Sequence, residues 1–204
     1  MKRYILSFSL IFVFALGSSA QSKLAQNLTK GKAQTLVVYG TSISSMAPNG
    51  ILWVQEVGKQ LNQKFNNKLT VYNSGRSGQN SEWALANLKD SVLSKKPDAV
   101  IIEFATNDAV NRFNISTEKC KENTLKLIGE IKSAYPNCEI FLHTPCGYPL
   151  GKNAESRPTM KDYNKVYENI ATELHLIWID ESAELQRIAG EKGVAELKKY
   201  AADG

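Results

Sequence analysis

TLVVYGTS, residues 35–42, joins a short run of apolar and β-branched residues to a Gly-Thr-Ser turn. A run that is nearly continuous in apolar character is typical of a strand covered on both faces. Runs of the same kind recur along the chain, and together they predict five strands. The predicted strands are residues 35–39, 69–72, 99–104, 139–143 and 176–179.

Between these runs, apolar residues recur at steps of three and four, which places them on one face of a helix. Strands that alternate with helices at this spacing predict βαβ units and a parallel sheet. We therefore expect an α/β fold. The helical stripes are Trp53, Val57, Leu61 and Phe65; Leu85, Leu88 and Val92; Leu125, Ile128, Ile131 and Tyr135; and Met160, Tyr163, Tyr167, Ile170 and Leu174.

The first twenty residues have the features of a secretory signal peptide. Lys2 and Arg3 precede an apolar stretch at 5–16, which is shorter than the roughly 20 residues of a membrane span, and Ser18-Ser19-Ala20 forms a small-residue cleavage site. We expect a signal peptide over residues 1–20 and one domain over 21–204. The mature protein is then secreted or periplasmic and has no stable membrane insertion.

The charge pattern gives little support to nucleic-acid binding. The formal net charge of +5 falls by two when Lys2 and Arg3 are removed with the signal, and the remaining lysines are scattered rather than clustered on one stripe. Three cysteines, Cys120, Cys138 and Cys146, match no zinc spacing. A Cys138–Cys146 disulfide and three buried thiols are both compatible with that number.

Polar residues follow each predicted strand, and in parallel sheets functional groups collect at this carboxyl edge. The turns are Gly-Thr-Ser at 40–42, Asn-Ser-Gly at 73–75, Ala-Thr-Asn-Asp at 105–108 and Thr-Pro-Cys at 144–146. A serine at one strand end, a backbone amide at the next and an amide side chain at a third can converge on one oxyanion. That is the constellation of acyl transfer, apart from its base.

The order of these turns resembles the sequence blocks of SGNH (GDSL-like) hydrolases, and the closing Ala-Asp-Gly at 202–204 resembles the start of their last block, Asp-Gly-x-His-Pro. The resemblance implies a three-layer α/β/α sandwich with a five-stranded, flavodoxin-like sheet and no metal or organic cofactor. It implies that Ser42 is the nucleophile and that the oxyanion hole comprises Ser42, Gly75 and Asn107. Asp203 would orient a catalytic histidine that is absent from residues 1–204.

The same block places that histidine two residues after Gly204. We therefore expect that the sequence is truncated, that the gene continues into the histidine, and that residues 1–204 alone have little activity. Two positions depart from the family pattern, because Thr41 replaces the aspartate of Gly-Asp-Ser and Ala105 replaces a glycine. The first departure leaves open what hydrogen-bonds the turn behind Ser42.

The chain contains two histidines, and each is a candidate for the base. His175 precedes the fifth strand, at the amino end of the sheet, and is interpreted as structural. His143 ends the fourth strand on the active side and is interpreted as a half-buried, hydrogen-bonded residue, with a base role as the alternative. Asp180 competes with Asp203 as the orienting carboxylate but is expected to cap the next helix, and Asp108 is expected to hydrogen-bond its loop.

The sequence thus predicts a secreted serine esterase that hydrolyses carboxylic esters through an acyl-serine intermediate. The resemblance favours an acetylesterase acting on carbohydrate, so the partner is a small-molecule or glycan ester. One alternative is a catalytically inactive glycan-binding relative. Another is a flavodoxin-like module that binds flavin or phosphate through the hydroxyl-rich turn after the first strand.

Overall fold

The computed structural model describes residues 22–45, 52–145 and 155–197. The strands within them are β1 Gln34–Gly40, β2 Leu69–Asn73, β3 Ala99–Glu103, β4 Glu139–Thr144 and β5 Ile177–Asp180. They form one sheet in the order β2-β1-β3-β4-β5, and all neighbouring pairs are parallel. This order is the flavodoxin-like one. The five predicted strands are confirmed, with ends that shift by a single residue.

Helices alternate with these strands, and a helix is found at each of the four predicted stripes, although Leu174 lies just after its helix and is 40% exposed. Asn80 and Ser116 begin two of the helices because their side-chain oxygens accept the N–H groups of Trp83 and Lys119. The helices are α1 Lys23–Thr29, α2 Ser42–Ser45, α3 Trp53–Lys64, α4 Ser81–Ser91, α5 Ala105–Asp108, α6 Thr117–Ala134, α7 Met160–Glu173, α8 Ser182–Lys192 and α9 Val194–Leu197.

The helices cover both faces of the sheet, which confirms the three-layer sandwich. On one face, α4, α6 and α7 contribute Leu88, Leu127 and Tyr167 to a buried core. On the other face, α1 and α3 contribute Leu28 and Val54 to a smaller core. The strands between them are therefore apolar on both sides, as their composition indicates.

Helix α1 has no counterpart among the predicted helices, because seven residues are too few for a periodic pattern to stand out. A carboxylate at the start of β4 holds its first turn in place. Glu139 accepts hydrogen bonds from Ser22 Oγ and from the backbone N–H groups of Lys23 and Leu24, at 2.8–2.9 Å. The two backbone N–H groups have no partner within the helix, so the contact with Glu139 satisfies them and fixes α1 on the sheet.

The last row of side chains on the α1/α3 face positions the candidate site. Gly40 of β1 lies beside Glu103 of β3, and His143 follows in the same row of β4. The preceding row on this face holds Val38, Ile101 and Phe141, which are core residues. The sheet thus changes from apolar to ionisable side chains at its carboxyl edge.

Two of the cysteines are buried free thiols, at Cys120 and Cys138. Cys146 and the predicted signal segment lie outside the described residues. No described helix is long and apolar enough to cross a membrane.

Candidate active site

Ser42 is the first residue of α2, the short helix that follows β1 directly. The carbonyl of Thr41 accepts hydrogen bonds from the N–H groups of Ser44 and Ser45 at 3.2 Å, and these bonds form the single turn of the helix. Ser42 is half-buried, whereas Thr41 and Ser44 are fully buried. The residues on either side of the serine are therefore held inside the protein, and the serine itself stays accessible.

The loop after β2 runs alongside this turn. Backbone hydrogen bonds from Ser74 N to Val38 O and from Arg76 N to Gly40 O, each 2.8 Å, extend the strand pairing beyond β2. Gly75 lies between them and touches α2, since a Cβ on it would be 2.9 Å from Ser44 Cβ. A side chain at Gly75 would therefore push against the helix that carries Ser42.

Asn73 connects the same loop to α2, a role that the sequence did not reveal. Its Nδ2 donates to the carbonyl of Ser44 at 2.6 Å, and its Oδ1 accepts the N–H of Gly75 at 2.9 Å. The backbone N–H of Gly75, which the resemblance assigns to the oxyanion hole, thus donates to Asn73 in this structure. An oxyanion must share this N–H with Asn73 or displace its side chain.

Asn107 lies in α5, immediately after β3, and is 5% exposed. Its Nδ2 donates to the carbonyl of Gln79 at 2.7 Å, and its Oδ1 accepts from Arg157 Nη2 at 3.4 Å. The Nε of Arg157 also donates to the carbonyl of Thr106 at 2.8 Å. An asparagine amide carries two N–H bonds, so Asn107 has one left for a ligand beyond the bond to Gln79.

Glu103 lies directly behind the nucleophile turn, and no sequence pattern marks it as a site residue. Its carboxylate is fully buried and accepts hydrogen bonds from Thr41 N at 2.9 Å, from Thr41 Oγ1 at 2.9 and 3.1 Å, and from Ser44 Oγ at 3.3 Å. Burial raises the pKa of Glu103 to about 7, although these hydrogen bonds and His143 oppose the shift. Glu103 is therefore the group that accepts hydrogen bonds from the turn at Thr41, where the family pattern has an aspartate.

His143 is fully rather than half buried, which corrects the expectation. Its ring packs edge-on against Trp53, with centroids 5.3 Å apart, and its Nε2 lies 3.2 Å from Glu181 Oε1 without the alignment of a hydrogen bond. Burial alone would lower the pKa of His143, but the carboxylates of Glu181, Glu103 and Asp180 raise it above its ordinary value. A histidine enclosed in this way is poorly placed to receive a proton from Ser42.

The other ionisable candidates have structural surroundings. His175 lies in the exposed turn between α7 and β5, with a φ of 52°, at the amino end of the sheet. Asp108 ends α5, and its Oδ1 accepts the N–H of Ser81 at the start of α4 at 2.9 Å, so it joins two helices rather than bonding its own loop. Asp180 accepts from Thr144 Oγ1 at 3.3 Å, while Glu181 takes the N-cap position of α8 without a side-chain cap. The helix-capping role of Asp180 stays a prediction.

Asp203 lies outside the described residues, so the structure places Ser42, Gly75 and Asn107 at one edge without their proposed acid. Among residues 22–45, 52–145 and 155–197, no group of three or more His, Cys, Asp or Glu side chains could hold a metal ion.

A polar groove of about 610 Å³ opens on the β2 side of Gly75. Two aromatic rings belong to its wall, and Tyr72 is 41% exposed with Lys95 Nζ 5.7 Å from its ring centroid. The rest of the wall is rich in hydrogen-bonding side chains. Among the residues that line it are Tyr72, Arg76, Gln79, Trp83, Asn87 and Asp90.

Comparison with known proteins supports one family. The profile of the GDSL-like lipase/acylhydrolase family matches residues 38–200. The structure of a lipase/acylhydrolase from Enterococcus faecalis is 26% identical, with a TM-score of 0.66 over 80% of this chain and 83% of that one. No curated protein sequence matches the chain.

Two further solved structures share the fold at lower identity. An acetylxylan esterase from Geobacillus stearothermophilus is 22% identical, with a TM-score of 0.68 over 81% of this chain and 84% of that one. A two-domain esterase described as active on acetylated mannans is 20% identical, with a TM-score of 0.67 over 87% of this chain and 44% of that one. The family match includes both the Ser42 turn and the Asn107 loop, and the chain belongs to the GDSL-like lipase/acylhydrolase family, as an SGNH-type carboxylic-ester hydrolase.

Proposed function

We propose that the protein is a secreted serine esterase that removes acetyl groups from carbohydrate. The observation that carries the proposal is the position of Ser42, which starts α2 beside the Gly75 loop and at the same sheet edge as Asn107. Ser42 is half-buried, whereas Thr41 and Ser44 of the same turn are buried, so we take the Ser42 hydroxyl as the accessible nucleophile of the turn.

The reaction proceeds through an acyl-serine intermediate. Ser42 Oγ attacks the acetyl carbonyl carbon, and its proton passes through the base to the departing sugar oxygen. Water then attacks the acetyl-serine, which releases acetate and restores the Ser42 hydroxyl. The base is the histidine that the SGNH resemblance places three residues after Asp203, and Asp203 orients it.

The oxyanion receives hydrogen bonds from the backbone amides of Ser42 and Gly75 and from Asn107 Nδ2. Arg157 and Gln79 hold the Asn107 amide from both ends, so its free N–H has a defined direction before substrate binds. Such preorganised donors stabilise charge that develops in the transition state. For Gly75, the competing contact with Asn73 must weaken as the oxyanion forms.

The polar groove beside Gly75 supports a carbohydrate as the alcohol part of the ester. Amide, carboxylate and cationic side chains match the hydroxyl groups of a sugar, and the rings of Tyr72 and Trp83 offer apolar faces to its C–H bonds. Pockets for apolar ligands are mostly lined by apolar side chains, which is not the case here. The fold is shared with an acetylxylan esterase and with an esterase active on acetylated mannans, which favours the same substrate class.

The mechanism is tested with Ser42→Ala in the full-length protein. We expect the variant to fold and to lose the release of acetate from 4-nitrophenyl acetate and from acetylated xylo-oligosaccharides. A fluorophosphonate should label Ser42 in the parent protein and leave the variant unlabelled. Ser45→Ala, the same change three residues along α2, is the matched control and should retain turnover. Parent-like turnover in Ser42→Ala would contradict the proposal.

The substrate class is tested with Tyr72→Ala. This change should raise KM for acetylated xylo-oligosaccharides several-fold and leave turnover of 4-nitrophenyl acetate unchanged, because the small ester does not reach the groove. Leu174→Ala, which alters a similarly exposed residue next to α7, is the control. Equal KM values for the oligosaccharide would remove the groove from substrate binding. If a glycan binds and no ester is cleaved by the full-length protein, the inactive glycan-binding alternative is favoured instead.

A further inference from the structure

Glu103 is a fully buried carboxylate whose described hydrogen bonds come from the nucleophile turn. Three donor groups converge on it, two from Thr41 and one from Ser44. Taking an ionised carboxylate out of water is costly unless hydrogen bonds compensate it, so these donors and the carboxylate depend on each other. The turn and the end of β3 are therefore joined by buried hydrogen bonds rather than by packing alone.

Ser42 lies between the two residues that Glu103 holds. Thr41 precedes it and Ser44 follows it by two positions, so the carboxylate restrains the turn on both sides of the serine. Gly40 leaves the room that the carboxylate occupies, because a Cβ at that position would be only 2.6 Å from Oε2. The carboxylate thus sits directly beneath residues 40–44.

Residue 41 supplies two of the three donor groups that reach this carboxylate. SGNH hydrolases resembling this chain usually carry an aspartate at that position, whereas Thr41 supplies a hydroxyl and an N–H. Both of these groups donate to Glu103. In this chain, the carboxyl group behind the nucleophile turn therefore comes from β3.

We infer that Glu103 is a positioning residue for catalysis, holding the Thr41–Ser44 turn so that Ser42 faces the ester carbonyl. This inference rests on the proposed role of Ser42 as the nucleophile. Misplacing a reacting group by about 1 Å can cost roughly 100-fold in rate, so a loosened turn should lower kcat much more than it weakens substrate binding.

The charges around Glu103 come from two further strands and the helix after them. His143 of β4 occupies the next position of the same row, and Asp180 of β5 and Glu181 at the start of α8 act on His143. From α2 and the turn before it come Ser44 and Thr41, and from α3 comes the uncharged Trp53, which contacts His143. Protonating Glu103 would remove its charge and turn one acceptor oxygen into a donor.

The test compares Glu103→Ala, Glu103→Gln and Thr41→Val in the full-length protein. In Glu103→Ala, kcat for 4-nitrophenyl acetate and the rate of fluorophosphonate labelling at Ser42 should both fall roughly 100-fold, with KM changed less than about threefold. Glu103→Gln should recover most of this loss, because its Oε1 can accept from Thr41 N and its Nε2 can donate to Thr41 Oγ1. Thr41→Val removes one donor and should lose about tenfold.

Glu139 offers a matched control at the opposite end of the sheet. Glu139 begins β4, as Glu103 ends β3, and it also accepts hydrogen bonds from three donors. These donors belong to α1 and to Ser22, the N-cap of that helix. Glu139→Ala should lower stability and leave kcat unchanged. If Glu103→Ala loses stability to the same extent but keeps the parent kcat and labelling rate, Glu103 is merely structural and the inference fails.

Two results separate this inference from the proposed function. If the parent protein is active but its Ser42 is not labelled, and Ser42→Ala is active, the nucleophile is wrong and Glu103 has nothing to position. If Glu103→Ala does not fold, the comparison of Glu103→Gln with Thr41→Val decides. A parent-like kcat and labelling rate in Thr41→Val would then overturn the inference.

Discussion

Gly40 and Glu103 approach each other so closely that a Cβ on Gly40 would lie 2.6 Å from Oε2 and 3.0 Å from Cβ of the glutamate. The same added carbon would lie 2.9 Å from Ser44 Oγ. Glutamate Oε2 ends a flexible side chain, but here it is buried and hydrogen-bonded to the turn, so it cannot move aside without losing those bonds.

Gly40→Ala should therefore destabilise the protein by about 1–3 kcal/mol, the usual cost of overpacking. Urea unfolding measures this, and kcat should fall as well because the turn moves. Gly129→Ala is the control, since Gly129 lies on the exposed side of α6 with nothing within 4 Å of an added Cβ. That change should be neutral or stabilise by up to about 1 kcal/mol. Equal effects at the two glycines would contradict the close approach.

Asn107→Ala should lower kcat by roughly 10²–10³, the usual loss for one oxyanion donor, and change KM much less. The reason is that the free N–H of Asn107 matters most once charge develops on the substrate oxygen. Steady-state kinetics with 4-nitrophenyl acetate measures both constants. Asn62→Ala is the control, because Asn62 pins the backbone of Leu69 at the start of β2, away from the site. A change confined to KM would instead assign Asn107 to substrate binding.

Arg157→Met should lower kcat about tenfold through Asn107. The guanidinium contacts both the Asn107 side chain and the carbonyl of Thr106, and methionine keeps most of the apolar bulk without these donors. Arg157→Lys should restore little, since an ammonium cannot reproduce two donors in a fixed fork. If Arg157→Met combined with Asn107→Ala is no worse than Asn107→Ala alone, the arginine acts through the amide. Additive losses would show a separate role.

Stability should fall as pH rises through about 7. Glu103 has a pKa of about 7 in the folded protein against 4.5 as its ordinary value, so its contribution is present below pH 4.5 and is lost as pH rises through about 7. The pKa of His143 is also raised, so its contribution is present below pH 6.5 and is likewise lost on the alkaline side. Glu103 and His143 therefore both make the free energy of unfolding decrease as pH rises.

Between pH 5.5 and pH 8.5 the free energy of unfolding should decrease by about 1–2 kcal/mol on account of Glu103. Urea unfolding at the two values measures the decrease, and Glu103→Gln should flatten it because glutamine does not titrate. An unchanged slope in Glu103→Gln would show that other groups cause the dependence.

Local patterns in the sequence were sufficient for the strands, the main helices and the edge where the site lies. Apolar runs such as residues 99–103 predict buried strands, and four stripes of apolar residues predict helices on both faces. The carboxyl edge follows from parallel strands alone, and the resemblance to SGNH hydrolases is what named Ser42, Gly75 and Asn107 within it. The short helix α1 was missed because its position depends on Glu139, more than a hundred residues away.

The sequence by itself determined which residue types follow each strand, because the strand and helix periods can be read from neighbouring residues. Only the tertiary structure decided their hydrogen-bond partners: Glu103 with Thr41, Asn73 with Ser44, and Arg157 with Asn107. Each pair joins residues from different strand–helix units, and a hydrogen bond needs its atoms within about 3.5 Å. Such distances depend on sheet register and strand order, which place residue 103 beside residue 40 and which no local pattern encodes.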